Sequence, residues 1–392
     1  MSTSQGFQPF TETEERQELR KQVAKLASKY GRDYFVEKAR SGGKTTDLWL
    51  EIGRCGYLGI NIPEEYGGGG GGIGDIAAVC EELAAQGCPL LLMVVSPAIC
   101  GTIITRYGTE SQKQKWLPGL CDGTGTMAFA ITEPDAGTNT HNITTTARRD
   151  GDGWVLNGRK IWISGVDEAD NVLVVARTED ARTGKLKPCL FVVPTDAPGF
   201  EFNAIPMEIV SPENQFQVFI DDVKLPADAL VGDENGGLVQ LFAGLNPERI
   251  MAAAFSTGLA RFALEKATQY AKERVVFQVP IGAHQAIAHP LAQSHIEIEL
   301  ARLMNQKAAA LFDAGDEMAA GEAANMAKYA AAEAACDVVD RAVQTHGGNG
   351  ASQEYGMAGL LVATRVGRIA PVSREMILNF VSMHSLGLPK SY

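Results

Sequence analysis

Met127 to Ser164 reads MAFAITEPDAGTNTHNITTTARRDGDGWVLNGRKIWIS, and here a helical sequence turns into short β-strands. Asn157-Gly158 sits between apolar flanks at 155–162 and tolerates positive φ at both turn positions, so a β-hairpin is predicted there. Ahead of it, Thr132-Glu133-Pro134-Asp135-Ala136-Gly137-Thr138 brings hydroxyls, a proline and a glycine into a loop that exposes backbone N–H groups. Such a loop suits a polar ring edge or phosphates, although a solvated turn would have the same composition.

Working outward, strands are predicted at 126–131, 144–149, 153–162, 171–177, 190–194, 216–220 and near Val223, separated by Asp-Gly, Asn-Gly, Pro and Gly. That spacing suits a small barrel or sandwich over 126–236. Residues 1–125 read as an all-α domain. Thr11 and Thr13 are candidate N-caps of a first helix with Leu19, Val23, Leu26 and Tyr30 at helical spacing; further helices cover 46–56, 77–85, 90–107 and 110–120. Six consecutive glycines, Gly67 to Gly72, predict a flexible surface loop. No strand precedes them and no Lys-Ser/Thr follows, so they do not make a phosphate cradle. Residues 237–392 read as three long alanine-rich helices plus a tail helix from Ser373, a four-helix bundle suited to forming an oligomer. Gly347-Gly348-Asn349-Gly350 is a C-cap composition. The fold class is α+β and multidomain: all-α, then β, then helical bundle.

At 392 residues the chain is long enough for two or three units with their own cores. A net charge of −12 argues against nucleic acid as a general partner, because phosphate binding needs a basic surface. The seven cysteines stand singly, with no CxxC or metal-ligand spacing, which predicts reduced thiols in a cytoplasmic protein and no metal site. No secretory signal pattern opens the sequence, and its apolar runs are too short to span a bilayer.

The order Ala128-Phe129-Ala130-Ile131-Thr132-Glu133-Pro134-x-Ala136-Gly137-Thr138, followed by Lys160-Ile161-Trp162-Ile163-Ser164, resembles the flavin-binding β-domain of the acyl-CoA dehydrogenase family. The resemblance runs nearly the length of the chain. It implies a homotetramer, a dimer of dimers, that binds FAD, takes a proton from Cα and a hydride from Cβ of an acyl-CoA, and yields trans-2-enoyl-CoA. Fatty acid β-oxidation is the setting implied, with an electron-transferring flavoprotein as acceptor. The resemblance also implies that Phe129, Ile131, Thr132 and Thr138 hold the flavin, that Thr138 touches substrate, and that Trp162, Ile163 and Ser164 flank the ring. Arg274-x-x-Phe277, with Gln278 where the family has glycine, implies a contact to the FAD pyrophosphate of a neighbouring subunit. His284 and Gln285 match adenosine contacts, Gln344, Gly347 and Gly348 a further pyrophosphate site, and Ser373 another cofactor contact. Without the family, Trp162 would read as a barrel core residue and the glycines as a bare C-cap.

In many members the catalytic glutamate lies in a turn before the last helix. The corresponding turn here, 369–375, has Pro371 at that position, which offers neither a carboxylate nor the N–H that would donate to the thioester oxygen. A minority of the family, including isovaleryl-CoA and long-chain dehydrogenases, carries the base in a Leu-x-x-Glu-Arg sequence. Leu245-Asn246-Pro247-Glu248-Arg249 matches it. The resemblance therefore implies Glu248 as the base, Arg249 and Asn246 beside CoA, and a leaning toward branched or long acyl groups. Locally, Asn246 as N-cap and Pro247 as first helical residue predict a helix start. That start would lower the Glu248 pKa, whereas burial would raise it. Glu375 is the competing carboxylate. The same fold also accommodates a flavin oxidase or monooxygenase, an enoyl-CoA reductase, or a catalytically silent flavin- or acyl-CoA-binding protein.

Overall fold

The computed structural model describes residues 12–180, 183–234 and 236–390; Thr11 lies outside them. Helices come first: α1 (Glu14–Ala27), α2 (Gly31–Ser41), α3 (Thr46–Arg54), α4 (Ile73–Ala85), α5 (Leu91–Met93), α6 (Thr102–Tyr107) and α7 (Glu110–Asp122). A π-helical stretch, Val94–Gly101, joins α5 to α6 and contains Pro97. Thr13 caps α1 by accepting from the Arg16 amide, and Thr109 with Gln112 closes a capping box before α7. The sequence reading has no counterpart of α2, whose one buried side chain, Phe35, leaves almost no apolar periodicity to detect.

The glycine run differs from the flexible loop expected of it. The amides of Gly68, Gly69, Gly70 and Gly71 donate to carbonyls of Pro63, Gly59, Ile62 and Ile60 at 2.8–3.2 Å. A Cβ on Gly68 would lie 2.0 Å from the Ile62 carbonyl oxygen. Backbone laid directly on backbone, rather than freedom of the chain, requires glycine there.

The middle of the chain forms one mixed eight-stranded sheet from β1 (Met127–Ala130), β2 (Thr146–Asp150), β3 (Gly153–Ser164), β4 (Asn171–Glu179), β5 (Leu186–Pro194), β6 (Phe200–Ile205), β7 (Gln215–Leu225) and β8 (Leu230–Val231). The strand order is β6-β7-β3-β2-β4-β5-β8, with β1 parallel to β4. The predicted hairpin at Asn157-Gly158 is absent, because both residues lie inside β3. The tight turn falls instead between Asp150 and Gly153, where β2 pairs with β3. Asn157 exchanges two hydrogen bonds with Asp222, each 2.9 Å, and a Cβ on Gly158 would strike Thr145 Oγ1 at 2.2 Å. The β3–β7 register slips at this point, so a turn-like dipeptide serves a bulge.

Helices then return as α8 (Gly237–Glu273), followed by a two-residue-turn hairpin of β9 (Val275–Val276) and β10 (Val279–Pro280). They continue as α9 (Gln285–Asp313), α10 (Glu317–His346), α11 (Gly359–Gly367) and α12 (Arg374–Phe380). The expected tail helix starts where predicted, with Ser373 capping α12, but α12 has only seven residues and continues as a π-helical stretch, Val381–Ser385. Glu81 and Glu82 of α4 meet Arg20, Arg261 and Arg302 from α1, α8 and α9, which fastens the first helical part to the bundle. All seven cysteines are free, and no helix among the described residues is long and apolar enough to cross a membrane.

Candidate active site

Glu248 lies on α8, and the helix start predicted at Asn246 is wrong. The helix begins at Gly237, so Glu248 is about three turns inside it and Pro247 is an interior residue. Pro247 deprives the Ala243 carbonyl of its helical donor. Close packing carries the helix through: a Cβ on Gly244 would lie 2.6 Å from Ile103 Cδ1, so α8 presses against α6 and the π-helical stretch there. Tertiary contact overrides the capping signal.

About three turns inside its own helix, Glu248 feels burial most. Desolvation lifts its carboxyl to about 7, partly offset by Arg249 and Lys328. The side chain keeps some exposed surface, and among the described residues it accepts no hydrogen bond and joins no ion pair. Cys100, at the end of the π-helical stretch, faces it; burial first, and the Glu248 charge second, push that thiol well above its ordinary range.

Arg249 donates from Nη1 to Leu245 O and Asn246 Oδ1 at 3.2 and 3.1 Å, while its buried Nε has no acceptor. The Asn246 amide nitrogen turns to Glu317 of α10, so both ends of that amide are engaged within the protein. Lys328 on α10 is a member of this cluster that sequence reasoning missed. It is 1% exposed, and its Nζ donates to the Val372 carbonyl. Burial, then Arg249, lowers its pKa to about 8 against the pull of Glu248. The detectable signal was a lysine on a stripe of Ala324, Ala327 and Ala331 at helical spacing. Glu375 points into solvent beside Arg374, as befits a surface carboxylate.

The loop 131–138 is held by a second buried pair. Glu133 accepts from the amides and hydroxyls of Thr144 and Thr145 and from Lys160 Nζ at 2.9 Å; Lys160 also donates to Ile131 O at 3.0 Å. Burial opposes the Glu133 charge, yet Lys160 and the four donors outweigh it and hold the carboxyl well below its usual range. Beyond Lys160 the β3–β7 register slips again, and Trp162 takes φ 61° with its side chain 51% exposed. A barrel core role for Trp162 is therefore excluded. Phe129 and Ile163 are buried, Thr132 is half-buried and Thr138 exposed; neither threonine hydroxyl is hydrogen-bonded among the described residues. Ser164 Oγ is shared with Gln215, and Ser373 Oγ caps α12. An open indole face beside unbonded hydroxyls fits an isoalloxazine ring.

The remaining predicted cofactor residues gather at the other ends of the bundle helices. Arg274 caps α8, and Phe277 and Gln278 turn the β9–β10 hairpin, both at positive φ; Phe277 is 87% exposed. His284 and Gln285 begin α9, and the buried His284 Nε2 has no partner. Gln344, Gly347 and Gly348 lie at the end of α10, joined to α8 by the Tyr270–His346 ring contact; open space surrounds both glycines. Among the described residues, no hydrogen bond, ion pair or ring contact links this group to Thr132 or Trp162.

Models of the acyl-CoA dehydrogenase N-terminal, middle and C-terminal domains match residues 13–124, 128–223 and 235–386. The chain belongs to the acyl-CoA dehydrogenase family. Acyl-CoA dehydrogenase FadE12 of Mycobacterium tuberculosis is 63% identical over 383 residues, covering 98% of this chain and 99% of that protein. A glutaryl-coenzyme A dehydrogenase solved with glutaryl-CoA superposes with TM-score 0.93 at 31% identity, covering 98% of each chain. A Mycobacterium smegmatis glutaryl-CoA dehydrogenase solved with FADH2 gives 0.89 at 27% identity, covering 97% of this chain and 96% of that one. As a member of this family, the acyl-CoA dehydrogenase described here is a flavoprotein oxidoreductase that uses FAD.

Proposed function

We propose that the enzyme desaturates an acyl-CoA thioester between Cα and Cβ to the trans-2-enoyl-CoA, with Glu248 taking the Cα proton. The observation that carries this reading is a carboxylate raised to about 7, without an internal hydrogen bond, on a helix that the fold presses against α6. A base titrating near neutrality and free of internal partners suits proton abstraction next to a thioester. Bound FAD supplies the acceptor for the hydride leaving Cβ. Phe129, Ile131, Thr132, Thr138, Trp162, Ile163 and Ser164 would hold the ring, with Thr138 also near substrate. Arg249 offers its unpartnered Nε to the CoA moiety, and Asn246 orients Arg249.

Arg274, Phe277, His284, Gln285, Gln344, Gly347 and Gly348 would meet the FAD of a neighbouring subunit, and Ser373 would sit at the flavin's edge. Phe277, Ile296, Leu300 and Leu303, large apolar side chains exposed on the same helical part, support this. A homotetramer is the assembly this reading carries with it, with an electron-transferring flavoprotein as acceptor. Seven free thiols favour a reducing, cytoplasmic setting. Anaerobic titration of the oxidised enzyme with straight, branched and long acyl-CoA thioesters tests the reading. Flavin bleaching with formation of the enoyl product is expected for at least one of them. No bleaching by any of them, or rapid reoxidation by O₂ without an acceptor protein, would contradict it.

A further inference from the structure

Helices α8 and α10 run side by side in one direction. A Cβ on Gly321 would lie 3.3 Å from Asn246 Oδ1, and further along, Ser256 and Ala332 come together at Gly367. Lys328 lies between those two crossings, on a face made mostly of buried alanine. It is among the largest fully buried side chains, and no carboxylate lies within 4.0 Å of it among the described residues. Its single hydrogen bond goes to the Val372 carbonyl, in the segment between α11 and α12. The charged groups that face it are Arg249 and Glu248 from α8, Glu333 from its own helix and Glu375 from α12. Those that face Glu248 are Arg249, Lys328 and the Cys100 thiol.

A plain cross-link between α10 and the tail would not need an ammonium. A hydrogen bond to that carbonyl needs no charge on the donor, and an unpaired buried charge is far more expensive than a hydrogen-bonded polar group. The charge has a use where a carboxylate must stay ionised nearby. We propose that Lys328 is a positioning residue: its ammonium fixes the tail turn at Val372 and keeps the neighbouring Glu248 carboxylate in its proton-accepting form. This inference rests on Glu248 as the base. Lys328 is too buried to touch substrate and acts through Glu248 and Val372.

The test is the pH profile of single-turnover flavin bleaching by acyl-CoA in the FAD-loaded enzyme, for wild type, Lys328→Gln, Lys328→Met, Lys328→Arg and Glu248→Gln. Lys328→Gln removes the charge and keeps a polar N–H donor on a slightly shorter side chain. Losing a positive neighbour raises a carboxyl pKa, so its acid limb should move to higher pH by about one unit, with melting temperature and FAD content near wild type. Lys328→Arg should leave the limb in place. Lys328→Met should move it and also lower the plateau, because the tail loses its tether. A Lys328→Gln limb that coincides with wild type, with Glu248→Gln inactive, would overturn the role of Lys328 and leave the base assignment standing. Full bleaching by Glu248→Gln would overturn the base assignment and this inference together. Should Lys328→Gln fail to hold FAD, a moved limb in Lys328→Arg would refute the proposal.

Discussion

Replacing Glu133 by Gln keeps the side-chain shape but leaves Lys160 as a lone buried cation. Lys160 is fully buried and Glu133 nearly so, and the carboxylate gathers five donors at 2.6–2.9 Å. Removing one partner of such a buried pair costs about 3–5 kcal/mol, a large part of the roughly 5–15 kcal/mol that holds a domain folded. The denaturant midpoint should fall accordingly, and FAD content should fall with it, because Lys160 also anchors Ile131 at the start of the loop proposed to hold the flavin. Glu133→Gln combined with Lys160→Met removes the stranded charge and should recover a good part of the loss, the sign of coupling in a double-mutant cycle. The pH dependence has a defined direction. The Glu133 carboxyl is held near 2, below its ordinary 4.5, so its stabilisation is full above 4.5 and is lost as pH falls toward 2. Glu133→Gln should flatten that window. Unchanged stability and flavin content in the single variant, or strict additivity in the double, would refute the reasoning.

Three other outcomes follow from the same geometry. Since Glu248 must be ionised to accept a proton and is raised to about 7, the bleaching rate at pH 6 should be about one-tenth of its alkaline plateau; a profile flat from pH 5.5 to 8 would exclude it as the titrating base. Trp162→Ala should melt near wild type, because the indole is exposed, yet lose FAD at least several-fold more readily in a flavin-release assay. Gly68→Ala should cost about 1–3 kcal/mol by thermal melting, since its Cβ would overlap the Ile62 carbonyl; an unchanged melting temperature would mean that the glycine run is loose after all.

Much of this was legible in the sequence wherever one local signal matched one structural need. Thr13 caps its helix, and Gly347 ends α10. Where local and tertiary demands diverged, the reading failed. Asn157-Gly158 has turn chemistry, but the Asp222 side chain and the proximity of Thr145 hold it inside a strand. Asn246-Pro247 has capping chemistry, but packing at Gly244 carries α8 across it. That same error hid which of two opposing effects governs Glu248, because its distance from the start of α8 decides whether the helix end opposes burial. The buried pairings of Lys160 and Lys328 went unread for a different reason. A lysine reads as a surface residue until the carboxylate and carbonyl that receive it, 27 and 44 positions away, are brought to it by the fold.

Proton abstraction by Glu248 is the proposal on which the expected catalytic outcomes depend. The most direct measurement is the rate of anaerobic flavin bleaching by the best acyl-CoA substrate in Glu248→Gln, with FAD content and acyl-CoA binding measured on the same preparation. Bleaching slowed by about a thousandfold or more, with both ligands still bound, is the predicted result. Bleaching at the wild-type rate would mean that another group removes the proton.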